Sequence, residues 1–327
     1  MTINLEDIQL AAQRLDGVAI RTPILTSALL NERLNATVYI KPECLQHIGA
    51  FKFRGAYNRL SQLSPAEKAR GVVAFSSGNH AQGVAYAAQL LELDATIVMP
   101  SDAPAIKREG TARLGATIRL YDRETESREE ISADIARQTG AVLVPAFDDE
   151  DIIAGQGTCG LEIMQQLQAL DCVPDCVLSP CGGGGLLAGI STAVKGCNAG
   201  TKVYGVEPQH YDDHYLSKQA GERVKIHPQL KTACDALMAT TPGELTWSIN
   251  SKLVDDFLRV SEDDVAHAIS FAFRYLKLVV EPGGVVALAA ILQNKLDITG
   301  KTVAIVLSGG NIDSQSFSKC LEEFPSP

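Results

Sequence analysis

Lys52 stands between Phe51 and Phe53 in GAFKFRGAYNRL, with Arg54 and Gly55 following. Aromatic neighbours favour desolvation. A desolvated lysine loses part of its preference for the ammonium form, which an amine nucleophile or Schiff-base former needs near neutral pH. A lysine on a helix is by itself more often solvated surface, so Lys52 gains meaning only in combination. Further on, the strand-like DCVLSPC runs into Gly182, Gly183, Gly184 and Gly185 and then into the helical LLAGISTAV. Without side chains the backbone can approach an anion closely and turn its N–H groups inward, while the following helix adds its positive end, so a phosphate can be held with no lysine. The plainer reading is a tight strand-to-helix turn, for which one glycine would serve.

Ser76-Ser77-Gly78-Asn79-His80 closes the run GVVAFSS and opens the helical AQGVAYAAQLL. Hydroxyls, an amide and free N–H groups converge there, which suits a carboxylate; simple N-capping by Ser77 or Asn79 is the alternative. Ser308-Gly309-Gly310-Asn311 ends TVAIVLSGG in the same manner and could present a hydroxyl to a ring nitrogen, or be only a turn. Glu207-Pro208-Gln209-His210-Tyr211-Asp212-Asp213-His214 concentrates hard oxygen donors after KVYGV. A glutamate, an aspartate and a backbone carbonyl suit magnesium or calcium; the i, i+4 pair His210 and His214 would suit zinc less well, and a solvated acidic turn is the third reading. Gly155-Gln156-Gly157-Thr158-Cys159-Gly160 matches G-x-G-x-x-G in form only. It follows the acidic DDEDIIA instead of a buried strand and lacks a clear ribose-binding acid, so close helix packing accounts for it better. Cys172 and Cys176 have no second cysteine pair with which to hold a metal.

The elements that must position these groups are legible as alternation. The runs TVYI, GVVAFSS, ATIVMP, TIRLY, AVLVP, DCVLSP, KVYGVEP and TVAIVLSGG are separated by helical patterns such as NHAQGVAYAAQLL, ESREEISADIARQTG and SEDDVAHAISFAFRYLK. That order predicts an α/β protein whose open, mainly parallel sheets are flanked by helices, with the named helices serving as exposed-face scaffolding. Two lobes are expected: a large one from residues 1–67 and 146–327, and a small mobile one from 68–145, with the ligand cleft between them. At 327 residues, 46% hydrophobic and 21% charged, the chain has room for two cores. A net charge of −10 repels nucleic-acid backbones and acidic membranes, so neither is an expected partner. Eight scattered cysteines read as reduced thiols. The acidic, amphipathic start and the lack of a run of about 18 apolar residues indicate neither export nor membrane insertion. A cytoplasmic location is expected.

Taken together and in order, GAFKFRGA, SSGNHAQG, CGGGGLLAG and SGGN resemble the motifs of the fold-type-II pyridoxal-phosphate enzymes, specifically the serine racemase and serine/threonine dehydratase group. The match spans nearly the whole chain. The resemblance implies a tryptophan-synthase-β-like fold and pyridoxal 5'-phosphate held as a Schiff base by Lys52. It implies that Phe51 packs beside the ring, Asn79 binds the ring hydroxyl, Gly182 through Gly185 take the phosphate, and Ser308 meets the ring nitrogen. It assigns Ser76, Ser77, Asn79 and His80 to the substrate carboxylate, and Arg128 in ESRE to assist after lobe closure. GVEPQHYDDHYLSK is similar to the family's divalent-cation loop, giving Glu207, the Tyr211 carbonyl and Asp213 as ligands of Mg2+, Ca2+ or Mn2+. A homodimer is usual among such relatives. His47-Ile48 replaces the Lys-Thr pair of the nucleotide-activated mammalian racemase, so ATP activation is not expected. Nor is feedback through an extra C-terminal domain.

The activity so implied is loss of water from a β-hydroxy amino acid, giving a keto acid and ammonia, with Lys52 as the base at Cα. Ser77, on the opposite ring face, could return a proton and so permit serine racemisation. The GAFKFRGA form and the DDHYLSK loop resemble relatives acting on L-threo-3-hydroxyaspartate, which is ranked ahead of L-serine and L-threonine. Rivals from other classes are a nicotinamide-dependent dehydrogenase built on GQGTCG and a non-catalytic amino-acid binder.

Overall fold

Strands covered by helices on both faces need continuous apolar runs, and that is what the sequence supplies. The computed structural model describes residues 3–103 and 105–325, of residues 105–107 the backbone only. Residues 1, 2, 104, 326 and 327 of the two expected lobes lie outside the described residues.

The strands are β1 (Leu25–Thr26), β2 (Thr37–Pro42), β3 (Val72–Phe75), β4 (Ala95–Pro100), β5 (Thr117–Tyr121), β6 (Val142–Leu143), β7 (Cys176–Pro180), β8 (Lys202–Pro208), β9 (Asp256–Val260) and β10 (Thr302–Leu307). They form a six-stranded sheet in the order β1-β2-β10-β7-β8-β9 and a four-stranded sheet in the order β5-β4-β3-β6. Every pairing is parallel except β1 with β2. Each apolar run read from the sequence contains a strand; β1 and β9 were not read. β1 has two residues, and β9 sits at the sheet edge with Asp256 and Arg259 exposed, so neither has an unbroken apolar run to betray it.

In the larger layer Val303–Leu307 of β10 are all buried: Val303, Ile305 and Leu307 share a core with the helix Pro282–Leu292, itself buried on every side, while Ala304 and Val306 belong to the core on the opposite face of the sheet. In the smaller layer Val72, Ala74, Ile97 and Met99 share a core with Ala81, Val84, Ala85 and Ala88 of the helix Asn79–Leu90. That helix is therefore interior and not the exposed-face scaffold expected of it; its run of alanines lets it nest between the sheet and the Lys52 helix. The Lys52 helix (Lys52–Ser61) falls by sequence in the expected large lobe but packs on the smaller layer. Its Phe53, Ala56 and Leu60 are buried in the core of the smaller layer, while its other side meets the helix Glu150–Gln168.

Glycines make the second contact close. A Cβ on Gly155 would stand 2.6 Å from the Gly55 Cα, and one on Gly157 would stand 2.9 Å from the Gly189 carbonyl. GQGTCG thus lies inside a helix, where it permits two helix crossings and cannot form a strand-to-helix nucleotide turn.

Behind Lys52 the next turn is anchored by buried charge. Arg54 reaches Glu43 at 2.7 and 2.8 Å and Glu162 at 2.7 and 3.0 Å, while Lys41 reaches Glu162 at 2.6 Å and the Thr22 carbonyl at 2.7 Å. Burial works against the Glu43 carboxylate, but the Arg54 guanidinium outweighs it, with Lys41 and Thr22 adding to that, and holds the carboxyl below its ordinary pKa. Two cations and two anions balance, which makes the burial of four charges tolerable.

Candidate active site

Phe51 leads into the Lys52 helix, and its N–H is held by the Ser308 carbonyl at 3.0 Å, which ties the turn before Lys52 to the end of β10. The Lys52 Nζ donates to the Ala146 carbonyl at 2.6 Å and lies 5.2 Å from the Phe51 ring centroid. It makes no ion pair with the described residues. Burial lowers its pKa from the ordinary 10.5 to about 8. In the cofactor-free protein the unfolded chain then keeps this proton to about pH 10.5 and the folded chain only to about pH 8, so stability should rise with pH between those values. Urea unfolding at several pH values, beside Lys52→Met, reads this out; an identical pH response in the two proteins contradicts it.

The carbonyl that receives Lys52 belongs to a segment whose role the sequence did not disclose. Residues 144–149 leave β6 and touch each part of the site in turn. The Val144 carbonyl lies 3.0 Å from His80 Nε2, Ala146 holds Lys52, and the Phe147 ring packs on Gly183 and its backbone on Gly185. The Asp148 carboxylate then takes the amides of Glu244, Leu245 and Thr246, and Asp149 caps the helix Glu150–Gln168. Only the sequence VPAFDDED could have signalled this, as two acids before two helix starts.

Gly182 through Gly185 sit where β7 passes into the helix Gly185–Cys197. The backs of these glycines are covered by Leu237, Phe147, His214 and Asn250, and Gly184 holds φ +94°, a conformation that favours glycine. The carbonyls of Gly183 and Gly184 accept from Thr246 Oγ1 at 2.7 Å and Asn250 Nδ2 at 3.2 Å. The amides of residues 182–187, in contrast, donate to no acceptor among the described residues. A run of free amides ahead of a helix start suits an anion such as a phosphate.

The loop of residues 76–80 shows the same pattern on a smaller scale. Gly78 N–H donates to Ser76 Oγ at 3.2 Å, and the amides of Ser77, Asn79, His80 and Ala81 are free among the described residues. The Ser77 and Ser308 hydroxyls likewise make no hydrogen bond to described residues, and Ser308 is buried. His80 is buried with Nδ1 unpartnered. Burial, then the nearby Lys52 charge, pushes its pKa down to about 3, so the ring is neutral. Since a carbonyl only accepts, Nε2 carries the proton and Nδ1 is a lone-pair acceptor. The His80 imidazole therefore has no donor to offer a carboxylate, and such a contact falls to its backbone N–H. Asn79 is buried and bonded to Glu281 and Asn311. Arg128 is about half exposed, paired with Glu129 at 2.8 Å, and stacked 5.1 Å over Phe75, next to Ser76. It lies at the margin of the loop.

The acidic segment folds behind the glycine turn. Glu207 and Asp213 are fully buried, and Tyr211 nearly so. Glu207 takes the amides of His214 and Tyr215 at 3.0 and 2.7 Å, whereas both Asp213 carboxylate oxygens lack a hydrogen-bond partner. Burial raises the pKa of both carboxyls. Two things were not legible here: Cys181, Glu207 and His214 place donor atoms within 4.8 Å of one another, and His214 Nδ1 is 3.5 Å from Asp213. His210 is exposed and the pair with His214 does not form.

The description pyridoxal-phosphate dependent enzyme is that of a family model matching residues 15–309. The chain is 43% identical over 312 residues to the L-threo-3-hydroxyaspartate ammonia-lyase of Saccharomyces cerevisiae, covering 95% of this chain and 94% of that protein. It is 44% identical to the L-threonine ammonia-lyase of Thermotoga maritima, covering 98% of this chain and 79% of that one. The structure of maize serine racemase superposes with a TM-score of 0.91 at 36% identity over all of both chains.

Proposed function

The chain belongs to the pyridoxal-phosphate dependent enzyme family, and from that premise we propose that it is an ammonia-lyase converting L-threo-3-hydroxyaspartate to oxaloacetate and ammonia. The reading rests on Lys52, a half-buried, desolvated amine with a pKa of about 8 and, among the described residues, a carbonyl as its one hydrogen-bond partner, set among two groups of unpaired amides. Bound pyridoxal phosphate supplies a conjugated ring that takes up the electron pair left when the Cα proton departs.

The protein's own groups do the rest. Lys52 Nζ would hold the cofactor covalently, and as a free amine it would be a base poised near neutral pH for the Cα proton. The amides of residues 182–187 would hold the phosphate, those of Ser77, Asn79, His80 and Ala81 with the hydroxyls of Ser76 and Ser77 would hold the substrate carboxylate, and Asn79 would face the ring hydroxyl. Ser308 offers a hydroxyl to the ring nitrogen, and Phe51 walls the ring. Closure of residues 68–145 as a small lobe on 1–67 and 146–327 would bring Arg128 inward and exclude water. Asp213, with Glu207 and the Tyr211 carbonyl, would take Mg2+, Ca2+ or Mn2+; two orphaned carboxylate oxygens support this.

Serine racemisation is the second reading, since the Ser77 hydroxyl is free among the described residues and a serine racemase is among the similar structures. L-Serine and L-threonine dehydration follow from the same groups. The protein is proposed to act as a homodimer in the cytoplasm, where its eight unpaired thiols stay reduced. Among the described residues no helix is long and apolar enough to cross a membrane.

A panel of both hydroxyaspartate diastereomers, L-serine and L-threonine, with keto acid, ammonia and D-serine as readouts and with magnesium or chelator present, tests these assignments. We expect L-threo-3-hydroxyaspartate to lead in kcat/KM by about tenfold or more, the effect of one added charged contact. Equal values for L-serine would overturn the substrate assignment, and ammonia release from none would overturn the function.

A further inference from the structure

Asn79 has its amide held at both ends. Asn311 Nδ2 donates to the Ile48 carbonyl at 2.8 Å and to Asn79 Oδ1 at 2.8 Å, and Asn79 Nδ2 donates to Glu281 Oε1 at 2.6 Å. The carbonyl of Ile48 only accepts, so the Asn311 nitrogen must face it. That nitrogen then requires the oxygen end of Asn79, and the Asn79 nitrogen is left for Glu281. One backbone carbonyl thus decides the orientation of two side-chain amides.

The surroundings are shaped for this arrangement. Ile48 is β-branched yet holds φ +56°, four residues before Lys52, at a cost of about 1–3 kcal/mol that persists only where neighbours impose it. Asn311 grips its carbonyl, and Gly310 N–H takes the Gly49 carbonyl at 2.8 Å. A side chain at Gly309 would collide with the Glu281 carboxylate, and one at Gly284 with the Gly309 backbone, so the paired glycines of SGGN and EPGG leave the room through which Glu281 reaches Asn79. Glu281 and Asn311 lie 202 and 232 residues from Asn79 in sequence. They adjoin the six-stranded sheet, whereas Asn79 opens the helix buried on the four-stranded one.

We propose that Glu281 and Asn311 are positioning residues that lock the Asn79 carboxamide in one orientation and tie it to the strained turn before Lys52, so that its one remaining N–H is presented at a fixed place to the ring hydroxyl of the bound cofactor. This rests on the pyridoxal-phosphate reading above. The clamp bridges the two layers, so Asn79 keeps its register with the larger sheet during any movement of the smaller one. Neither residue touches the reacting atoms.

The test compares the holoenzyme with Glu281→Ala, Glu281→Gln and Asn311→Ala, reading cofactor retention on dialysis, the visible band of the lysine-bound cofactor across pH, and the thermal midpoint. Glu281→Ala and Asn311→Ala should weaken cofactor binding by about tenfold or more, the loss of one strong hydrogen bond, and shift the band or its titration. Glu281→Gln keeps an accepting oxygen for Asn79 and should restore retention to within about threefold of wild type, less than 1 kcal/mol. Unchanged retention and spectrum in both alanine variants overturns the clamp, as does a lowered thermal midpoint with no spectral change. Loss in Glu281→Gln equal to that in Glu281→Ala also overturns it, because charge and not placement would then be what matters. If wild-type protein itself binds no cofactor, the functional reading fails, which is a distinguishable result.

Discussion

Replacing Lys52 by alanine is expected to lower turnover by about a thousandfold or more and to abolish any borohydride-fixed cofactor adduct. On the proposed reading two effects combine: the covalent attachment disappears, and so does the amine proposed to take the Cα proton. The free amides of residues 182–187 remain, so the variant should still take up cofactor without a bond to it. Lys41 makes the useful contrast, since it is fully buried but donates its hydrogens to Glu162, Gln166 and the Thr22 carbonyl. An ammonium so bound is no nucleophile. Mass mapping of the reduced wild-type protein should therefore place the adduct on Lys52 alone, and finding it on Lys41, or finding turnover intact in Lys52→Ala, would sink the assignment.

The second large effect concerns stability. Arg54→Ala should destabilise the fold by about 3–5 kcal/mol, because it strands Glu43 without its partner in a fully buried position and halves the cation supply of Glu162. Removing charge on both sides, as in Arg54→Met with Glu43→Leu, should recover much of the loss, since the stranded carboxylate and not the missing contact is the larger cost. Urea unfolding of the single and double variants decides it. A loss below about 1 kcal/mol in Arg54→Ala, the range of an exposed pair, would mean that water reaches the cluster. Arg54 lies two residues from Lys52 on one helix, and its bonds to Thr158 and Glu162 join the glycine contact in seating that helix on Glu150–Gln168.

Much of the site was readable because its motifs are local. A lysine flanked by phenylalanines, four glycines after an apolar run, and a Ser-Ser-Gly-Asn-His turn at a strand end are each contiguous, and each sits in the structure at a strand-to-helix junction or helix start. The alternation of apolar runs and helical patterns likewise located eight strands of a parallel fold, since a strand buried on both faces cannot hide its composition. The edge strand β9 escaped because its exposed positions break the run.

Local residue patterns were thus enough for the class of fold and for the positions of Lys52, the tetraglycine turn and the Ser-Ser-Gly-Asn-His turn at strand ends and helix starts. How those pieces are oriented and what supports them became visible in the packed chain. It showed that His80 offers a lone pair instead of a donor, that Ala146 receives Lys52, that Cys181 and His214 stand beside Glu207, and that Glu281 and Asn311 hold Asn79. The physical reason is range. Helix starts, glycine turns and buried strands are set by neighbours a few residues apart, whereas desolvation, tautomer and amide orientation are set by whichever distant segments the packing brings within about 3 Å, and no local pattern of residue types records that choice.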